Sequence, residues 1–401
     1  MADYEVLVVG GGISGASFAL QAARAGKTVL VAEKEERVGG CLHTERLPDG
    51  YWFELGAHTC YNSYGAFLEL LEACGLSKEL QARGKPVLRF LEGTQVVPGK
   101  NLWLLLRLFQ KGELLGALPR WFGASQEGQT VRSFYSRLVG KRNYERVLGP
   151  MLSAVPSQAA DAFPADMLFK KRERRKDVMR SFTLRGGLQS AVDVILRQPG
   201  IETTLGRSAV GIERSDSGFV ARFDDGSRVE ARALALAVPP GTAAGLLRDV
   251  FPESAARAAT IAEASVDSLG FAVRAEKVRV PYSTFLIPLR DEFHSIVTRD
   301  VVPDPAWRAF TVHFRPGHSR EEQLRRVAEV LGVQQADMRG LASRQAVLPS
   351  PVLGHAAVIE GLDRNLARER VALTGNWFGG LAIEDCALRS RAEWARVEAL
   401  A

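Results

Sequence analysis

The residues best placed to do chemistry are Gly10, Gly12 and Gly15, spaced G-x-G-x-x-G, together with the acid Glu33 that follows them. That spacing suits a dinucleotide. The first glycine allows a tight turn, the second lets a pyrophosphate approach the backbone, and the third lets a helix pack closely on a sheet. Ile13 and Ser14 fill the turn, where the free N–H groups of a starting helix would face phosphate. Glu33 is then positioned to accept hydrogen bonds from ribose hydroxyls.

A glycine-rich turn becomes specific only through its flanks. Glu5-Val-Leu-Val-Val9 is a short apolar, β-branched run, as expected of a strand buried on both faces of a parallel sheet. Ala16 to Ala25 has helical character, Gly26 ends it, and Thr28 to Ala32 forms a second strand that delivers Glu33. The three pieces make a complete βαβ unit. Later strands are expected at 208–212, 219–223 and 233–238, the last stopped by Pro239-Pro240, and at 371–374 before a C-terminal helix.

Composition narrows the function further. The chain has 401 residues, 46% hydrophobic and 24% charged, with a net charge of +6, an ordinary balance for a folded protein. The excess of cations is too mild and dispersed to argue for nucleic acid. The densest cluster, Lys170 to Lys176, fits either a solvated face or an anion site. Cys41, Cys60, Cys74 and Cys386 form no CxxC pair, so no metal site is expected, and a reducing, cytoplasmic setting fits them. Met1-Ala-Asp-Tyr-Glu5 carries no basic and apolar run, so no secretory leader is expected, and no apolar stretch reaches the ~20 residues of a membrane span.

Beyond Glu33, the run Lys34-Glu-Glu-Arg-Val-Gly39-Gly40-Cys41 resembles the extension of FAD enzymes in the amine oxidase superfamily. Gly56-Ala57-His58-Thr59 resembles the stretch that passes along the flavin ring in that superfamily. Gly375-Asn376 and Leu381-Ala382-Ile383 resemble its closing motif, where a helix N-terminus meets the pyrimidine end of the flavin. The resemblance also implies a backbone contact from Val210 to adenine. It implies FAD bound without a covalent link, since no cysteine lies in the closing loop.

Several segments resemble the protoporphyrinogen oxidase family more than monoamine oxidases: Asp385-Cys386, Leu348-Pro349 before Gly354-His355, Ser181 to Leu188, and Arg89-Phe90-Leu91. That resemblance implies an α/β fold, with a Rossmann-like FAD domain and an interleaved β-sheet substrate domain carrying a helical insertion. The FAD domain is expected over 1–79, 180–263 and 353–401, the substrate domain over 80–179 and 264–352, and the insertion over about 95–180. The implied reaction is oxidation of a porphyrinogen with dioxygen as acceptor. The implied substrate residues are Arg89, pairing with a propionate, and Val155. No side chain is assigned a catalytic role, because the flavin performs the chemistry.

Other readings stay open. Amine oxidation, desaturation, flavin-dependent isomerisation and a silent FAD scaffold all fit the cofactor motifs. Residues 101–122, rich in tryptophan, leucine and cations, fit either an interfacial membrane helix or an amphipathic helix packed on the substrate domain. His58 and His355 are expected to be hydrogen-bonded structural histidines. Ser319 and Glu322 form a capping box with no function attached.

Overall fold

The computed structural model describes residues 2–98 and 101–400, and the side chains of Asn101 and Leu102 are left aside. Gly99 and Lys100, inside the expected insertion, lie outside the described residues. The parallel core runs in the order Ile201–Thr204, Val29–Ala32, Tyr4–Val9, Arg228–Leu236. The long strand Arg228–Leu236 then divides its free side. Its first half pairs antiparallel with Gly218–Phe223, and its second half pairs parallel with Val371–Leu373.

The apolar runs form strands because both of their faces are buried. Val6, Val8, Val29 and Val31 pack with Phe18 of the helix Ile13–Arg24 and Trp394 of the closing helix Ile383–Glu398. Leu7, Val9 and Leu30 pack on the other side against the helix Pro240–Leu247 and Leu362. Continuous hydrophobicity, rather than alternation, is the signature of such a strand.

The second sheet runs Arg339–Pro349, Glu263–Arg274, Trp307–Phe314, Phe293–Thr298, Phe285–Pro288, Leu88–Glu92, Gln95–Val96. Here alternation matters. Leu269, Phe271, Phe310 and Val312 face the helix Arg320–Leu331 through Val327 and Leu331. Ala272 and Ala309 face the other way, onto Phe53 and Leu55 of the first domain's small hairpin. A Cβ on Gly270 would overlap those two side chains, so the glycine sets how closely the two parts approach. The expected capping box is formed at Ser319 and Glu322.

Strands of the first sheet come from residues before 33, from 201–236 and from 371–373, and those of the second from 88–96 and 263–349. A small third sheet straddles the expected boundary at residue 79, since Leu80–Ala82 pairs with Ser181–Leu184. Short helices occupy 101–168, including Asn101–Leu108, Lys111–Ala117 and Val131–Val139. Among the described residues no helix is long and apolar enough to cross a membrane.

Candidate cofactor and substrate site

The first strand ends at Val9, and the chain turns through Gly10 with φ of +106°. Any side chain at Gly15 would overlap the Gly10 carbonyl, so the helix Ile13–Arg24 starts hard against the strand end. Ile13 and Ser14 are buried in its first turn, and the Ser14 carbonyl accepts from Ser390 Oγ of the closing helix at 2.9 Å. Gly12 pairs with Gly39, whose N–H donates to the Gly11 carbonyl at 2.9 Å. Gly39 and Gly40 both hold positive φ, which glycine adopts without strain. The two glycine segments, separate in sequence, therefore form one cradle with no side chain in it.

Glu33 is buried beneath that cradle. Its Oε2 accepts from the Gly11 N–H at 2.7 Å and its Oε1 from the Glu35 N–H at 3.0 Å. Each oxygen keeps a second lone pair for a hydroxyl. Glu33 thus shapes the glycine turn as well as facing the expected ribose. Lys34 is exposed beside Glu35. Val210 sits at a break in the hairpin register, between the pairs Ala209–Phe223 and Gly211–Arg222, and has no partner there. A bulge residue of this kind offers its backbone to a ligand.

The flavin-end segments meet near Cys41. Its carbonyl accepts from Ala57 N–H at 3.0 Å, and a Cβ on Gly56 would overlap it. His58 Nδ1 lies 3.2 Å from the Gly56 carbonyl, and its ring stands edge-on to Phe285 of the second sheet at 5.6 Å. Burial pushes the His58 imidazole down to about 3, with the nearby Arg83 cation acting in the same direction, so this ring is neutral at physiological pH. Thr59 Oγ1 accepts from Arg83.

From the C-terminal side, Gly375 follows the last parallel strand and Asn376 is half-buried. Leu381, Ala382 and Ile383 lead into the closing helix, whose start projects its N–H groups and partial positive charge. The Lys170 to Lys176 cluster is not simply a solvated face. Arg172 pairs with Asp385 at 2.7 Å, Lys170 stands 3.5 Å from the same carboxylate, and Asn62 Nδ2 holds the Arg175 carbonyl at 2.6 Å. The basic segment therefore straps the closing helix to the first domain. His355 is buried, with Nε2 2.7 Å from the Trp377 carbonyl, which is a structural role.

Arg89 lies on the second sheet, in the strand Leu88–Glu92. Its strand pairs parallel with Phe285–Pro288 in the register Leu88–Phe285, Arg89–Leu286, Phe90–Ile287. Leu88 and Phe90 lie on the face shared with Phe285, which carries His58, whereas Leu91 and Leu286 lie on the face of the helix Arg320–Leu331. Side chains alternate along a strand, so Arg89 belongs to that far face, and its Nε donates to the Tyr282 carbonyl at 3.3 Å. Arg89 is not among the residues that line the cavity beside His58. Val155 is exposed just beyond Ala154, which packs beside Phe285.

The cavity beside His58 has a volume of about 30 Å³ and is bounded in part by Trp52, Glu54, Arg83, Thr183, Arg299 and Thr311. Glu54 is wholly inside, accepting from Leu188 N–H at 2.7 Å and Thr44 Oγ at 2.8 Å. Burial pushes its carboxyl up to about 7 against those two bonds. Arg83, Thr183 and Arg299 escaped the sequence reading. They come from three distant segments, and no local pattern distinguishes them.

The arrangement fits a dinucleotide that carries a flavin. A side-chain-free cradle, a buried acid, an unpaired bulge residue and a helix start belong to the first sheet and its helices, and the segment through His58 meets the second sheet at Phe285. Residues 8–74 match the NAD(P)-binding Rossmann-like domain family, and residues 122–269 match the flavin containing amine oxidoreductase family. Protoporphyrinogen oxidase of Bos taurus is 24% identical, with 98% of this chain and 98% of that protein covered. Coproporphyrinogen III oxidase of Mycobacterium bovis is 27% identical over 66% of each chain. In fold, the chain superposes on an Exiguobacterium protein provisionally described as a protoporphyrinogen oxidase, with a TM-score of 0.80. That match has 19% identity and covers 100% of this chain and 99% of the other, so it speaks for the fold alone.

Proposed function

The chain belongs to the flavin amine oxidase superfamily, as a protoporphyrinogen oxidase-like member with FAD as its cofactor, and from that premise we propose that it oxidises a porphyrinogen to a porphyrin. The observation that carries this reading is the end-to-end likeness to protoporphyrinogen oxidase, rather than to the cofactor domain only. Bound flavin supplies hydride acceptance and reoxidation by dioxygen, which yields one hydrogen peroxide for every two hydrogens removed.

The protein's own part is to bind, orient and exclude water. Gly10, Gly12, Gly15, Gly39 and Gly40 would cradle the pyrophosphate, Glu33 and Lys34 would hold the ribose, and the Val210 backbone would meet adenine. Cys41, Gly56, Ala57, His58 and Thr59 would hold the flavin ring, with Gly375, Asn376, Leu381, Ala382 and Ile383 serving its pyrimidine part. A neutral His58 edge-on to Phe285 adds no charge of its own there, which suits a mostly apolar macrocycle. No side chain is required as the hydride acceptor. The FAD domain takes 1–79, 180–263 and 353–401, and the substrate platform the remainder.

We also place the enzyme at a cytoplasmic membrane face. Trp103 and Phe122 are 80% and 87% exposed, and Leu115 and Trp121 are exposed beside them, with Arg107, Lys111 and Arg120 in the same helices. Large apolar side chains set among cations suit an interfacial surface.

The deciding experiment mixes the purified flavoprotein anaerobically with protoporphyrinogen, coproporphyrinogen and a panel of amines. Bleaching of the flavin by a porphyrinogen, then porphyrin fluorescence and peroxide on admitting air, is the expected result. Bleaching by an amine alone would replace this reading with amine oxidation.

A further inference from the structure

Three donors with no ion-paired carboxylate line the cavity beside His58. Thr183 is 2% exposed, and its hydroxyl has no hydrogen-bond partner among the described residues. Arg299 lines the same space with an equally unpartnered, buried Nε; its Nη1 donates to the Val302 carbonyl at 3.3 Å, and its guanidinium stacks over Tyr51 and Trp52 at 4.6 and 4.3 Å. Arg83 lines it from the opposite segment, donating to Thr59 Oγ1. Neither arginine has a carboxylate in ion-pair reach among the described residues.

Glu54 is the neighbouring acid, a single carboxyl beside two guanidiniums and in no ion pair with either. Its oxygens accept from Leu188 N–H and Thr44 Oγ, and burial favours its uncharged form. His58 adds no negative charge. Two guanidiniums partly withdrawn from water beside one occupied carboxyl leave an excess of positive charge, and burying unpaired charge is costly. An anion in the cavity would lower that cost and offer an acceptor to the groups left without one. A planar guanidinium fork suits a carboxylate, and about 30 Å³ admits one small group.

We propose that the cavity bounded by Arg83, Arg299 and Thr183 is a binding site for one small anion, either a free halide or a single carboxylate group of the substrate. The substrate source rests on the porphyrinogen reading above; the site itself does not. In that case Arg83 takes the part expected of Arg89, which does not line the cavity.

The test uses the FAD-loaded protein. Bromide, chloride and propionate are titrated separately while flavin absorbance and the thermal midpoint are followed, and a bromide-soaked crystal is examined for anomalous signal in the cavity. Wild-type protein should bind saturably, and Arg83→Gln and Thr183→Val should each weaken binding by about tenfold or more, as loss of a charge-assisted or buried contact does. If the natural occupant is a substrate carboxylate, chloride competes with porphyrinogen, and Arg83→Gln raises KM for the free acid but not for its methyl ester. If it is a free halide, anomalous signal is again present but KM is indifferent to chloride. Absence of saturable binding by wild-type protein, or binding unchanged in both variants, overturns the site and leaves a water-filled cavity. Because halide binding needs no turnover, failure of the porphyrinogen assay does not decide it.

Discussion

Glu384, in the first turn of the closing helix, caps a different helix: its two oxygens accept from the Ala66 and Phe67 N–H groups, each at 3.0 Å. The helix Gly65–Ala73 has no side-chain cap of its own, so this buried carboxylate satisfies its orphan donors from the far end of the chain. The contact ties the closing motif to the segment that follows Thr59. Replacing Glu384 with Ala should lower stability by about 2–3 kcal/mol, since two buried donors are left unpaired. Thermal unfolding measures the loss, and an unchanged midpoint would mean water fills the gap.

Glu33→Ala should release FAD more readily, because it removes charge-assisted bonds worth about 1.5–3 kcal/mol each. The structure adds that Gly11 N–H loses its acceptor, so the glycine turn loosens as well. Gly15→Ala should be more severe, as its Cβ cannot coexist with the Gly10 carbonyl. Flavin content after gel filtration reads both variants; retention equal to wild type in Glu33→Ala would remove the acid from the cofactor site.

Acid should destabilise the fold. Burial lowers His58 to about 3 and His294 and His313 to about 4, below the ordinary 6.5. The unfolded chain then binds more protons between about 4 and 6.5, so this stability is full above 6.5 and is lost as pH falls. Glu54 works in the opposite sense. With its folded value raised from 4.5 to about 7, it costs stability as pH rises through that window. Three histidines outweigh one carboxyl, so the thermal midpoint should fall from pH 7 to pH 5. His294→Gln should flatten the slope and Glu54→Gln should steepen it; slopes identical to wild type in both would contradict the assignment.

Vesicle binding tests the exposed apolar surface. The protein should co-sediment with anionic liposomes at low salt, and Trp103→Glu combined with Trp121→Glu should abolish this without changing flavin content. Co-sedimentation unaffected by the double substitution would place the contact elsewhere.

The sequence alone determined the cofactor half of this protein. Gly10, Gly12, Gly15 and Glu33 lie within one βαβ unit, where short-range sterics and hydrogen bonding dictate both residue type and spacing. The closing helix and the Ser319 capping box were legible for the same reason. The second sheet's part was decided by tertiary structure. Whether Arg89 shares a face with Phe285 depends on how its strand pairs, and only the register with Phe285–Pro288 fixes that. Glu384 finds its partners, and Arg83, Thr183 and Arg299 find each other, across segments far apart in the chain. No local pattern encodes such meetings, because a period-two strand offers the same residues to either face until long-range packing chooses one.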